Sequence, residues 1–326
     1  MMQAIVFDRF GAADVLRLAM LAIPRPAPGE VLIAVGYAGV NPADWKTRAG
    51  WLSRYFDYQF PFVPGFDVAG RVAAVGDGVS GLAPGDRVVA ASNQGMGQNG
   101  AYADYVIAAA ERVVALPDHV ELTAAATLPT AGMTAWQAVI DSGAAVAGGR
   151  VLVHGGAGGT GSFAIQLARL AGARVAATCS PGNADYVRGL GAERAIDRHG
   201  DIAAPVRDWA PAGVDLVVDT VGQGSLPDAV ALVRPGGTVA PIATLIADEA
   251  PHDADLAAAR GVRILPVSST FADQGRQLRG LVAAIAAGQV VAPEVTLLPL
   301  AEAAAAHRLV EAGRVRGKLL LEVAGG

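Results

Sequence analysis

The segment Arg150–Gly161, RVLVHGGAGGTG, sets Gly156, Gly158 and Gly161 at G-x-G-x-x-G spacing. An apolar run leads into it, and a helical pattern with Phe163, Leu167 and Leu170 leads out. In that context the glycines have separate tasks. One allows a tight turn, the next lets backbone approach a pyrophosphate, and the last lets the helix pack closely on the strand. Gly159, Thr160 and Gly161 then open the helix, where free N–H groups and the helix dipole face phosphate. This is the chemistry of dinucleotide binding; a glycine-rich turn without a ligand is the alternative. NAD-specific sites place an acid on the ribose about 20 residues further on. Thr178–Asn183, TCSPGN, occupies that place and has no carboxylate. Ser180 and Asn183 can donate to a 2′-phosphate, and Arg198, just past the next strand, supplies charge. NADPH is therefore expected over NADH. Cys179 has no His, Lys or Arg beside it in sequence and reads as a small strand-end residue.

These residues need a scaffold, and the chain changes texture near residue 122. Before it, short β-like runs (Val31–Val35, Val68–Val75, Arg87–Ala90, Ala101–Ile107, Val113–Leu116) alternate with Gly and Pro turns, which predicts a barrel-like β domain. After it come candidate strands Arg150–His154, Arg174–Thr178, Arg194–Asp197, Asp215–Asp219, Gly237–Ile242 and Val262–Val267, with helices between most of them. Six strands joined by crossovers predict a doubly wound parallel sheet. The tail reads as helix Gly275–Ala287, strand Val295–Leu298, helix Leu300–Ala312 and strand Lys318–Val323, and is assigned back to the β domain. The expected division is 1–122 with 268–326, and 123–267, with the functional cleft between them.

Composition narrows the function. Of 326 residues, 52% are hydrophobic and 17% charged, which excludes a disordered polyelectrolyte. The net charge of -5 argues against a nucleic-acid binder. One cysteine excludes a disulfide framework and a cysteine-based zinc site, and no two of the five histidines lie at ligand spacing. No apolar stretch of about 18 residues predicts a membrane span. The start carries no secretory pattern, so a cytoplasmic protein is expected. Only Lys46 and Lys318 are lysines among 25 basic residues.

Further markers run in order: Gly39–Asp44 (GVNPAD), Pro64–Gly70 (PGFDVAG), Pro84–Val88 (PGDRV), Ala125–Trp136 (AATLPTAGMTAW), the glycine loop, Arg234–Gly237 (RPGG) and Gly317–Leu321 (GKLLL). On these the chain resembles the medium-chain dehydrogenase/reductase superfamily, in its zinc-independent quinone oxidoreductase branch, over nearly its whole length. The resemblance implies an α/β protein: a GroES-like β-barrel catalytic domain split around a six-stranded Rossmann domain. It also implies a homodimer and NADPH-dependent reduction of quinones or other α,β-unsaturated carbonyls. Zinc alcohol dehydrogenases of the superfamily carry Cys where Asn41 stands and His-Glu where Phe66 and Asp67 stand, so no zinc is expected.

Without a metal the protein must align two flat rings, exclude water and stabilise an enolate-like oxygen. Asn41 is a candidate for bonding the substrate oxygen or the nicotinamide ribose, or else a turn-former before Pro42. Asp44 can orient Lys46 or contact the cofactor, or cap a loop. Lys46, at a position where relatives can place a pocket tyrosine, can donate a proton or stabilise the oxyanion, or lie on the surface. Trp45, Trp51, Tyr55, Phe56 and Tyr58 can wall a flat acceptor or pack the domain edge. On the cofactor side, Thr134 is expected near the nicotinamide half. Val221, Ala243, Thr244 and Ser268 follow strands at carboxyl ends. Lys318 is expected at a phosphate or the cleft edge, or as a strand-edge lysine. Two other classes stay open: an NADPH-binding sensor or structural protein with little turnover, and a zinc alcohol dehydrogenase.

Overall fold

The computed structural model describes residues 1–53, 55, 57–96, 100–222, 224–242, 252–267 and 273–323. The chain divides into two compact units, Met1–Ala131 with Thr270–Gly326, and Gly132–Ser269.

The first unit begins with an antiparallel pair, β1 (Met2–Val6) and β2 (Arg17–Leu21). The long strand β3 (Glu30–Val40) leads into helix α1 (Pro42–Arg48). Then follow β4 (Asp67–Val75), β5 (Arg87–Ala91), β6 (Tyr105–Ala109), β7 (Val113–Ala115) and a short helix α2 (Leu122–Ala125). Strand β3 pairs with β4 along one edge and with β6 beside its first half on the other. Two register shifts against β4, at Leu32/Ile33 and Val35/Tyr37, bend it. Such bulges increase local twist and let a strand turn a corner. The inward face is small and aliphatic: Val31, Ile33, Val35, Val68, Val72, Val88 and Val106 are all buried.

A helical stretch, Leu128–Asp141, leads from the end of the first unit into the second, and within it α3 (Met133–Trp136) is flanked by wider π turns. The sheet of the second unit is built from β8 (Arg150–His154), β9 (Arg174–Cys179), β10 (Arg194–Asp197), β11 (Val214–Asp219), β12 (Val233–Pro241) and β13 (Arg263–Ile264). The strands are parallel, in the order β10-β9-β8-β11-β12-β13. The order reverses beside β8, which is where doubly wound sheets open a crevice for ligands. Helices α4 (Gly159–Leu170), α5 (Ala184–Gly189), α6 (Ala203–Trp209), α7 (Ala229–Leu232) and α8 (Ala254–Arg260) lie between the strands. Helix α4 is buried from Gly161 to Ala168. It stops where Gly172 takes φ +83°, with Gly172 N–H bonding Arg169 O and Ala173 N–H bonding Ala168 O. This is the two-bond closure that favours glycine after a helix end.

The tail returns to the first unit through α9 (Gln274–Ala286), β14 (Val295–Pro299), α10 (Ala303–Glu311) and β15 (Lys318–Glu322). Strand β15 pairs antiparallel with the second half of β3. That pairing brings Lys318 next to Val40 and the start of α1.

The outline follows the sequence reading, with four differences. Strand β2 is new: RLAML carries no turn signals or alternation, and only its pairing with β1 makes it a strand. Helix α1 is also new, because aromatic and charged residues obscure a short amphipathic pattern. Strand β13 has two residues where six were expected, although Ile242 and Val267 add one further parallel bridge. The first unit also runs on past 122 to Ala131, because α2 packs on β3, β4 and β5 and Thr130 bonds Asp67.

Candidate active site

In the second unit the glycine loop sits at the carboxyl end of β8, the central strand. Gly155 turns at φ +82°. Its N–H donates to Thr178 Oγ1 at 3.0 Å, and Gly156 N–H to Thr178 O at 2.8 Å. A Cβ on Gly161 would lie 2.2 Å from Gly155 O, and one on Gly156 2.8 Å from the Ala177 Cβ. These two glycines therefore let helix, strand and loop close on each other. A Cβ on Gly158 would meet only Gly155 O, at 3.7 Å, so that side of the loop is open. There the first amides of α4, those of Gly159, Thr160 and Gly161, have no intrahelical acceptor. A cradle lined by backbone donors and open on one side fits a pyrophosphate.

Asp197 pairs in register with Cys179, and Arg198 N–H donates to Cys179 O at 2.9 Å. This brings the exposed Arg198 beside the half-buried Ser180 and Asn183. The Arg198 Nε–H lies 3.2 Å from His199 Nε2. At the end of β11, Asp219 Oδ1 accepts from the N–H groups of both Val221 and Gly222 at 3.0 Å. Thr134 is half-buried on α3. Ala243, Thr244 and Ser268 lie outside the described residues.

In the first unit, the start of α1 is a buried polar centre. Asp67, at the head of β4, is fully buried. Its Oδ1 accepts from Thr130 N–H at 3.0 Å and from the Thr130 hydroxyl. Its Oδ2 accepts from Asn41 Nδ2 at 2.9 Å and from Lys318 Nζ at 3.1 Å. Lys318 also donates to Asn41 Oδ1. Lys318 is only 4% exposed, so its ammonium is committed inside this unit rather than to a cofactor phosphate or cleft edge. Asn41, 2% exposed, has one amide N–H left after these bonds.

Asp44 reaches back to cap α1: its Oδ2 accepts Asn41 N–H at 2.7 Å, and its Oδ1 accepts Phe66 N–H at 3.2 Å. It orients Asn41 rather than Lys46. Behind it runs a line of donors. Tyr102 OH donates to Asp44 Oδ2 at 3.3 Å, His307 Nε2 lies 3.3 Å from that hydroxyl, and Arg48 Nη1 lies 3.5 Å from His307 Nδ1. A guanidinium only donates, so His307 Nδ1 accepts and the ring proton sits on Nε2. Burial, with Arg48 beside it, pushes His307 down to about 3, so it stays neutral. Arg48 is anchored by Glu311 at 3.1 Å and Gly11 O at 3.0 Å.

Lys46 is 6% exposed, with its ammonium 5.5 Å from the Trp45 ring centre and 5.9 Å from that of Trp51. Those two indoles meet edge-on at 4.9 Å. The expected aromatic wall is thus two groups, since Tyr58 packs instead on Phe10 and Phe62. Tyr55 is exposed, and Phe56 lies outside the described residues.

Burial, reinforced by the Asp67 charge, pushes the Asp44 carboxyl up to about 7. The unfolded chain releases this proton near 3.8. The folded state therefore binds more protons between about pH 4 and 7. The stability this proton contributes is full below pH 4 and is lost as pH rises through 7, with a slope near 1.4 kcal/mol per pH unit. Calorimetric unfolding from pH 5 to 8 is expected to show that fall, and Asp44→Asn to flatten it. An unchanged slope in the variant would assign the pH dependence elsewhere.

Sequence reading weighed Asp67 only as a zinc-ligand position and gave no site role to Tyr102, Thr130 and His307, nor in the second unit to His154, Thr178, Asp219 and Ser225. Two of these left signals: Asp219 ends an apolar run, and His154 directly precedes the glycine loop.

Two family models match the chain, the second of them across residues of both units. Residues 27–118 match the family model of the alcohol dehydrogenase GroES-like domain, and residues 190–321 that of the zinc-binding dehydrogenase. The chain is 30% identical to the quinone oxidoreductase of Sus scrofa over 98% of both chains. A chloroplastic quinone-oxidoreductase homolog of Spinacia oleracea is 37% identical over 203 residues, 60% of this chain and 61% of that protein. A solved NAD-dependent alcohol dehydrogenase superposes at a TM-score of 0.90 with 30% identity, over 99% of this chain and 100% of the other. A mycobacterial structure complexed with NADPH does so at 0.88 with 32% identity, over the same shares.

Proposed function

Because the chain belongs to the medium-chain dehydrogenase/reductase superfamily, in its quinone oxidoreductase branch, and is an oxidoreductase, we propose that it reduces quinones or other α,β-unsaturated carbonyls with NADPH. The open cradle at Gly158, at the head of a buried helix on the central strand, carries this reading. The nicotinamide cofactor, when bound, supplies the hydride. Gly159, Thr160 and Gly161 hold the pyrophosphate through backbone N–H groups, and Ser180, Asn183 and Arg198 hold the 2′-phosphate. The Val221 turn and Thr134 border the nicotinamide half. The absence of a carboxylate at Ser180–Asn183 supports NADPH over NADH, and the relative solved with NADPH agrees.

The donor chemistry at Asp67 does not suit zinc. The carboxylate already holds a buried ammonium, and a second cation beside Lys318 would be repelled. A zinc-free site favours conjugated acceptors, whose π system spreads the developing negative charge. Lys46 stabilises that charge or returns the proton, and Asp44 and Asn41 position the start of α1 beneath it. We read the protein as cytoplasmic and homodimeric; among the described residues β10 and β13 are the outer strands of the six-stranded sheet. No described helix is long and apolar enough to cross a membrane. A sensor with little turnover has no observation in its favour.

A panel of quinones and enones, assayed with NADPH and NADH side by side, tests substrate class and cofactor together. Turnover with neither cofactor on any acceptor would defeat the proposal. In the same assay Lys46→Ala is expected to lower kcat about 100-fold; unchanged kinetics would remove Lys46 from the mechanism.

A further inference from the structure

His154 is the last residue of β8 and is 3% exposed. Its ring lies between two turns. On one side, Thr178 Oγ1 is 2.7 Å from Nδ1 and also accepts the Gly155 N–H at 3.0 Å. On the other, Nε2 is 3.1 Å from Ser225 Oγ, which donates to Gly222 O at 2.6 Å.

The proton count allows one arrangement. Ser225 has a single hydroxyl proton and spends it on Gly222 O, so it accepts from Nε2–H. Nδ1 is then bare and accepts from Thr178, whose two roles, acceptor from Gly155 and donor to His154, are both filled. The imidazole is neutral, in its Nε2–H form. Burial and the Arg198 charge favour the neutral ring, against the opposing pull of Asp219. Thr220 adds a strut on the same residue, its hydroxyl donating to His154 O at 2.7 Å. Each side chain in the line Gly155–Thr178–His154–Ser225–Gly222 accepts one bond and donates one, and Gly222 O also takes the Ser225 N–H at 3.1 Å.

We propose that His154 is a positioning residue for dinucleotide binding, tying the glycine loop after β8 to the Val221–Gly222 turn after β11 through one fixed tautomer. It holds the two turns at a set spacing, so a ligand that spans them meets them already ordered. Such preorganisation raises affinity without any contact between the residue and the ligand. This inference rests on the proposal that the carboxyl edge of this sheet binds NADPH.

The test is a double-mutant cycle read by calorimetric titration with NADP+. Thr178 and Ser225 lie on opposite sides of the ring, and among the described residues His154 is the side chain bonded to both. Thr178→Val and Ser225→Ala are each expected to weaken binding about fivefold. If His154 couples them, the double variant weakens binding about threefold less than the product of the singles. In a His154→Ala background that coupling disappears. Thr178→Ser, which keeps the hydroxyl, restores wild-type affinity. The losses also raise the KM for NADPH and leave the KM for the quinone unchanged. Single effects that simply multiply overturn the tie while leaving NADPH binding intact. A wild-type protein that binds no NADP+ overturns the functional reading and the tie together. Should Thr178→Val fail to fold, the exposed Ser225→Ala and the near-isosteric His154→Gln decide it: wild-type affinity in both is a negative result.

Discussion

Lys318→Ala is expected to destabilise the first unit by about 3–5 kcal/mol, the range for removing one partner of a buried ion pair. Asp67 would keep its bonds from Thr130 and Asn41 but lose Lys318, its salt-bridge partner among the described residues, while the carboxylate stays fully buried. The Asn41 carbonyl would lose the same donor. A second consequence follows at Asp44, which the Asp67 charge raises and the Lys318 charge lowers. Without Lys318, Asp44 holds its proton to still higher pH, and the pH-dependent fall in stability moves upward. Replacing both partners by neutral residues of similar size, Lys318→Met with Asp67→Asn, is expected to cost less than Lys318→Ala alone, because no unpaired charge remains. Calorimetry checks both, since two units need not unfold in one step. A Lys318→Ala protein within 1 kcal/mol of wild type would mean that the ammonium contributes no more than a surface pair.

Gly161→Ala and Gly158→Ala are expected to fail in different ways. The atoms nearest a Cβ at 161 are all backbone: Gly155 O at 2.2 Å, Gly156 Cα at 2.8 Å and Gly155 C at 2.9 Å. None is a flexible side-chain tip, so α4 must lift from the loop. The second unit then loses packing along a helix buried over Gly161–Ala168, at a cost of about 3 kcal/mol or more, and dinucleotide affinity falls at least about 100-fold. A Cβ at 158 meets only one atom, 3.7 Å away. That variant is expected to melt with wild type and still bind NADP+ weakly, because the added methyl stands where phosphate approaches. Thermal unfolding paired with titration separates the two. Equal Tm values for both variants would show that the closeness of helix and loop is not what the third glycine provides.

The glycine loop and the six parallel strands were legible because each rests on local pattern: apolar runs, glycine stops and a motif read within 12 consecutive residues. Strand β8 and strand β10 coincide with the runs that predicted them. Strand β2 and helix α1 were not legible, because β2 exists only by pairing with β1, and α1 buries polar rather than apolar side chains. Asp44 and Lys46 lie on α1, so their surroundings were hidden too. Lys318 shows the limit most plainly. It was singled out as one of two lysines, but its position 277 residues from Asn41 made the Asn41–Asp67–Lys318 centre invisible until β15 paired with β3.

The sequence by itself determined the class of fold, the place of the glycine loop and the lack of thiolates for zinc, since residue identity and short-range spacing decide these. The tertiary structure alone decided which charges are buried and what they face. It turned Lys318 inward onto Asp67, placed Asp44 among donors and beside a second carboxylate, and lined up Arg48, His307 and Tyr102 behind it. It also set His154 between two turns. Burial and partnership are properties of where distant strands meet, and they set the cost of a charge and the tautomer of a ring.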